Sequence, residues 1–279
     1  MNRPRRAPVP EQIAVLPRID LSANGTRDED AEIIVVTDMH FGAIDHFNAQ
    51  WQEDKKYILS RDPATTRVLC LGDLGQFDTR YQKHSGVYEQ GMSPDEQIDY
   101  SVSEMVQIQR YVDLILAGNH DNRISAEVGI DATKQIACRS GLADRYVRDN
   151  AVLSYAVGIA SASHTRLGEA RPLIYSLYCY HGDNVTNSSR TSLLKAVQKV
   201  PACDVYLSGH MHYRDSFPVI GHIYDPRTNT LLPRRRLVVA CPSYQLGAGW
   251  AQRRNFLDGD WGMSRIVLAT GERLAESVV

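Results

Sequence analysis

The chain has 279 residues, enough for one large domain or two small ones, and its 43% apolar and 23% charged content excludes a fibrous or disordered polymer. With 31 basic against 33 acidic side chains the formal charge is −2, which excludes a global positive field drawing the chain onto nucleic acid or acidic membranes while leaving room for a local basic patch. No stretch reaches the roughly 20 apolar residues that span a bilayer, so no membrane association is expected.

Residues 1–30, rich in Pro, Arg and Asp, read as an arm or irregular lead-in, and residues 31–279 as a single domain. Arg3, Arg5 and Arg6 are interrupted by Pro4, Pro8 and Pro10 with no apolar segment behind them, so they are not read as a secretion signal. Residues 31–37 are a β-branched run suited to a strand buried on both faces, and the run leads straight into Asp38-Met39-His40. A mixed amphipathic helix is predicted over residues 45–59. Residues 66–71 form the next apolar run and end at Gly72-Asp73. Ser93-Pro94-Asp95-Glu96 is a capping box with proline at the first helical position, opening a helix to about Arg110. Residues 112–117 end at Gly118-Asn119-His120-Asp121, and residues 173–180 at His181-Gly182-Asp183. Residues 187–200 read as a helix stopped by Pro201, and residues 203–207 end at Gly209-His210-Met211-His212. Residues 216–224 and 231–241 flank a turn and predict a hairpin, and residues 262–269 a last strand.

Each of the five clusters falls where a strand should end. The strand–helix alternation implies an α/β fold with a largely parallel core sheet, in which loops at the carboxyl ends of strands gather in one crevice. Together the clusters offer well-placed carboxylates, a carboxamide and five imidazoles, a donor set sufficient for two adjacent cations. Mixed oxygen and imidazole donors suit Mn, Fe, Zn or Ni better than Mg or Ca, and Mn²⁺ is the first expectation. The five cysteines (Cys70, Cys138, Cys179, Cys203, Cys241) lack Cys-x-x-Cys spacing, and four lie in apolar runs. They predict reduced thiols and a cytoplasmic protein without disulfides or a zinc knuckle.

The order Asp-x-His, Gly-Asp, Gly-Asn-His-Asp, His, Gly-His-x-His resembles the calcineurin-like metallophosphoesterase superfamily from residue 33 to about 212, and within it the nuclease and phosphodiesterase type. The resemblance implies a four-layer αββα sandwich of two mixed sheets flanked by helices. It implies one metal on Asp38, His40 and His212, a second on Asn119, His181 and His210, and Asp73 bridging the two. His120 is then the catalytic residue, donating a proton or hydrogen bond to the leaving oxygen while a metal-bridging hydroxide attacks in line. The implied activity is hydrolysis of phosphodiesters in a nucleotide or nucleic acid. The alternatives are a phosphomonoesterase acting on a small phosphorylated metabolite or nucleotide, and a non-catalytic scaffold of the same fold. The complete ligand set and His120 speak against the scaffold.

One position departs from the pattern. Many relatives carry Asp or Asn three residues after the bridging Asp, where it orients the catalytic histidine in the protein-phosphatase branch; here Gln76 stands there. The glutamine amide, Asp78 and Asp121 are the candidates to take over that role, and Asp121 itself replaces the Glu of the phosphatase motif. Arg123 and Arg214 follow motifs closely and are candidates to touch substrate phosphate, the alternative being solvated loop arginines. Asp183 is either a turn residue or a support for His181. Arg234-Arg235-Arg236 and Arg253-Arg254 read either as nucleic-acid contacts or as charges guarding a strand edge. Tyr224, Tyr244, Trp250 and Trp261 read as stacking or packing aromatics. His46, His84, His164 and His222 are read as surface or satisfied core histidines.

Overall fold

The computed structural model describes residues 13–21, 29–79, 90–160, 171–182, 189–247, 260–270 and 272–278. In chain order the elements are β1 (Ile13–Val15), β2 (Ile19–Asp20), β3 (Ala31–Val36), α1 (Asn48–Ser60), β4 (Thr66–Cys70), α2 (Pro94–Ile108), β5 (Val112–Leu116), α3 (Asp121–Val128), α4 (Ala132–Arg139), β6 (Tyr146–Val147), β7 (Asn150–Ala160), β8 (Arg171–Tyr180), α5 (Ser189–Lys199), β9 (Val205–Ser208), β10 (Asp215–Asp225), β11 (Thr230–Ala240), β12 (Ser264–Leu268) and β13 (Ala275–Val278). They build two mixed sheets. One runs β13-β12-β3-β4-β5-β6, and the other runs β1-β7-β8-β9-β11-β10 with β2 also on β7. β3, β4 and β5 are parallel in the first sheet, and β8, β9 and β11 in the second.

The two-residue period of a strand explains the layering. On β3, Ile33 and Val35 join Leu69, Leu116, Leu153, Leu177 and Val205 in a core between the sheets. The alternate residues Ile34 and Val36 meet Trp51 and Ile58 of α1, Met105 of α2 and Ile136 of α4 on the outer face. Across the molecule, Tyr178, Tyr206 and Val238 pack on Leu193 and Val197 of α5. Both faces of both sheets are covered, which gives the four layers αββα.

The capping box forms as read: Ser93 N donates to Glu96 Oε2 at 2.7 Å, and Ser93 Oγ accepts from Glu96 N. Part of the expected lead-in is sheet instead. Ile13 and Ile19 supply enough apolar surface for β1 and β2 to pair with β7 at its edge. All five cysteines are free thiols, four buried and Cys138 exposed. Among the described residues no helix is long and apolar enough to cross a membrane.

Candidate metal centre

The five motif loops leave the carboxyl ends of β3, β4 and β5 in one sheet and of β8 and β9 in the other. Because these strands run parallel within each sheet, their ends lie along one edge, and backbone hydrogen bonds tie the loops together. Asp38 N donates to Gly72 O at 3.0 Å, His40 N to Asp73 O at 3.0 Å, and Tyr244 N to Asp38 O at 3.0 Å. Two glycines make the approach possible. A Cβ on Gly118 would stand 2.0 Å from Asp73 Oδ1, and one on Gly209 would stand 2.2 Å from Thr37 Oγ1. Asp38, His40, Asp73, His210 and His212 all hold positive φ, between 47° and 67°. Such backbone costs on the order of 1–3 kcal/mol per residue and persists where its surroundings dictate it.

The side chains of these loops point at one another. His40 Nε2 and His212 Nε2 are 3.3 Å apart, and His212 Nε2 is 3.1 Å from Asp38 Oδ1. Asp38 Oδ2 is held by Thr37 Oγ1 at 2.7 Å and His210 N at 2.8 Å. His181 donates Nδ1–H to Leu71 O at 2.7 Å, which fixes its tautomer and aims Nε2 at Asn119 Oδ1 (2.9 Å) and Asp73 Oδ2 (3.2 Å). Asp73 Oδ1 accepts from His120 N at 2.7 Å, whereas its buried Oδ2 has no aligned hydrogen-bond partner, and neither has His40 Nδ1. Potential donor atoms of Asp38, His40 and His212 lie within 4.8 Å of one another, as do those of Asp38, Asp73, His181 and His210. A buried carboxylate oxygen without an aligned hydrogen-bond donor, among converging imidazole nitrogens, is what a divalent cation would satisfy, so the residues fit divalent metal binding.

The electrostatics point the same way. Despite the cost of burial, His181 and His120 hold Asp73 well below the usual carboxylate range, and Asp73 and Asp38 push His181 up to about 10. The carboxylates thus keep their negative charge and draw cations, protons included. Burial, reinforced by neighbouring imidazoles, holds His40 and His210 low and leaves them neutral.

His120 sits beside these side chains, with its ring 4.5 Å from that of His40, and it shares a cluster of potential donor atoms with His40 and Asp73. Its Nδ1–H donates to Gln76 O at 2.9 Å, and its Nε2 accepts from Arg123 Nη2 at 2.7 Å. Burial, and Arg123 after it, lower His120 to about 4. The acceptor that orients His120 is therefore the backbone carbonyl of Gln76 and not its amide, which donates to Asp78 Oδ2 at 3.0 Å. Asp78 pairs with Arg123. Asp121 has a different task from the one expected: its carboxylate accepts from Gly118 N at 2.8 Å, Leu74 N at 3.1 Å and Gly75 N at 3.4 Å, bracing two motif loops. Burial, with Asp73 nearby, pushes Asp121 up to about 7 against those donors.

The other candidates separate. Arg214 donates to Met263 O and Trp261 O and ties its loop towards β12. Arg234 pairs with Asp204, and Arg236 donates to Pro201 O. Tyr244 is buried with its hydroxyl on Asp54, and Trp261 donates to Gln245 O. Tyr224 is exposed on the β10–β11 hairpin. His46 donates Nδ1–H to Met39 O at 2.7 Å and so supports the first motif loop. Asp183, His84, His164, Trp250, Arg253 and Arg254 lie outside the described residues. Thr37 and the Gln76 carbonyl are contributors that residue-type reasoning missed; only adjacency to Asp38 could have flagged Thr37.

No family model and no curated protein matches the sequence. Among solved structures, the chain is similar to vacuolar protein sorting 29 from Cryptosporidium parvum, with 14% identity, 89% of this chain and 96% of that one covered, and a TM-score of 0.40. Wild-type Vps29 of Entamoeba histolytica complexed with Zn²⁺ is similar at 12% identity, 88% and 98% coverage and a TM-score of 0.38. A conserved uncharacterized protein from Streptococcus pneumoniae TIGR4, described as a predicted phosphoesterase, is similar at 14% identity, 89% and 97% coverage and a TM-score of 0.34. Two mixed sheets packed between helices, with the five motif loops meeting at one edge, make this chain a four-layer αββα sandwich.

Proposed function

We propose that the protein is a metal-dependent phosphoesterase that cleaves phosphodiester bonds of a nucleotide or nucleic acid. The observation that carries this reading is the convergence of Asp38, Asp73, His181 and His210 in one cluster and of Asp38, His40 and His212 in an adjoining one, with Asn119 against His181. When bound, two divalent cations, Mn²⁺ first among them, supply Lewis acidity towards a phosphate oxygen and acidify a water at neutral pH. Asp38, His40 and His212 would hold one cation, Asn119, His181 and His210 the other, and Asp73 both.

The chain's own chemistry lies around His120. Donation of Nδ1–H to Gln76 O leaves Nε2 as the ring's reactive nitrogen, and Arg123 sets a fixed positive charge beside it. In this reading His120, protonated at Nε2, donates a hydrogen bond to the leaving oxygen, and Arg123 turns from His120 to a phosphate oxygen. Preference for diesters rests on the Gly-Asn-His-Asp motif and on the absence of the phosphatase Asp-Arg signature, while Gln76 weighs against a protein phosphatase.

The test compares hydrolysis of an aryl phosphodiester with the matching monoester, in Mn²⁺ and in chelator. Diester-dominant activity that disappears in chelator supports the proposal. Monoester-dominant activity would replace it with a phosphomonoesterase. Two bound metals without turnover of any ester would favour a scaffold.

A further inference from the structure

A cavity of about 470 Å³ opens beside the candidate centre, within the roughly 300–1,000 Å³ range of ligand pockets. Its inner wall includes Asn119, His181 and His210, the residues assigned to the second cation. Its floor carries Tyr178 and Tyr180 from β8, stacked at 5.4 Å with their planes 24° apart. Its outer rim carries three cations: Arg148 from the β6–β7 turn, and Lys195 and Lys199 from α5. Among the described residues, Asp149 is the one carboxylate in the lining.

This rim is unusual for the chain. The whole protein is slightly acidic, at −2, yet here three cations surround one concavity against a single acid. Lys195 and Lys199 stand four residues apart on one helix face, where like charges destabilise a helix by about 0.2–0.5 kcal/mol. The arrangement stabilises a negative group held between the turn and the helix.

Resting on the phosphoesterase reading, we infer that this cavity binds a second phosphate of the substrate, next to the scissile one, through Arg148, Lys195 and Lys199. The substrate is then an oligonucleotide-like chain and not a cyclic mononucleotide or a diester with uncharged arms. The same chemistry could be supplied by the next backbone phosphate of a strand or by a terminal phosphate.

Calorimetric binding distinguishes these sources and does not depend on turnover. Three phosphorothioate-linked probes are compared in Mn²⁺ and in chelator: a dinucleoside with one internal linkage, the same with a 5′-phosphate, and a trinucleotide with two linkages. The inference predicts at least a tenfold tighter Kd for one or both doubly charged probes at low salt, a gain that shrinks as salt rises. A gain for the trinucleotide alone assigns the cavity to a backbone phosphate, and a gain for the 5′-phosphate assigns it to a strand end. The double substitution Lys195→Ala, Lys199→Ala should reduce the gain to about twofold and lower the salt slope by roughly one to two. Arg148→Ala should remove part of it. Lys56→Ala, at an exposed position of α1, removes the same charge elsewhere and should leave the gain intact. Equal Kd for singly and doubly charged probes, or a gain untouched by the double substitution, would overturn the inference. Absence of hydrolysis would count against the phosphoesterase reading alone, because the affinity difference is measured without it.

Discussion

Replacing Asp121 with alanine removes the brace between the loop that carries Asp73 and the loop that carries Asn119 and His120. Its carboxylate is 2% exposed and accepts from Gly118 N at 2.8 Å and Leu74 N at 3.1 Å, with a longer contact to Gly75 N. A buried donor left unsatisfied costs about 1–3 kcal/mol, so the two shorter bonds give about 2–6 kcal/mol. The carboxylate is itself uncomfortable there, pushed up to about 7 by burial and Asp73, and its removal offsets part of the loss. The expected destabilisation is therefore about 2–4 kcal/mol. Urea unfolding of wild type and Asp121→Ala, both in chelator, measures it as a lower midpoint at unchanged m. The loss must persist without metal, because the brace runs from carboxylate to backbone. A variant within about 0.5 kcal/mol of wild type in chelator, or a loss that appears only with metal bound, would refute the assigned role.

Asp73→Asn should weaken both cations together, since it removes the one negative charge they share; retention of two tightly bound metals by elemental analysis would contradict bridging. His120→Asn should keep both metals and lower turnover by about 10²–10⁴-fold, whereas loss of metal would make His120 a ligand. Ser176 N and Arg273, against the cost of burial, hold Asp204 below its ordinary value. A depressed folded pKa contributes stability above the unfolded value of about 3.9 and loses it as pH falls through the folded one. The stability gap between wild type and Asp204→Asn, measured by denaturation at pH 6 and pH 3, should narrow at the acid end.

The strands that carry the motifs were legible because each is a β-branched or leucine-rich run ending at a glycine or an acid. β7 was not: Ser154 and Gly158 interrupt its apolar residues, so no clean run marks it. α4 is eight residues long, too short to display a helical period, and its one local signal is the Asp131 cap on Lys134 N. The second sheet was invisible to periodicity for a different reason. A strand buried on both faces, as β3 is throughout, reads the same whether helices or another sheet cover it. In the site, side-chain types flagged the donors, but they cannot report that the acceptor for His120 is a main-chain carbonyl at Gln76. Nor could spacing tell that Arg214 turns away to Met263 while Arg123 turns towards His120.

The most direct measurement is a Mn²⁺ titration of chelator-stripped protein followed by electron paramagnetic resonance. A centre in which Asp73 is shared should take up two equivalents and give an exchange-coupled dinuclear spectrum at saturation. Uptake of a single ion, or of two that keep separate mononuclear spectra, would contradict the shared centre on which the functional reading rests.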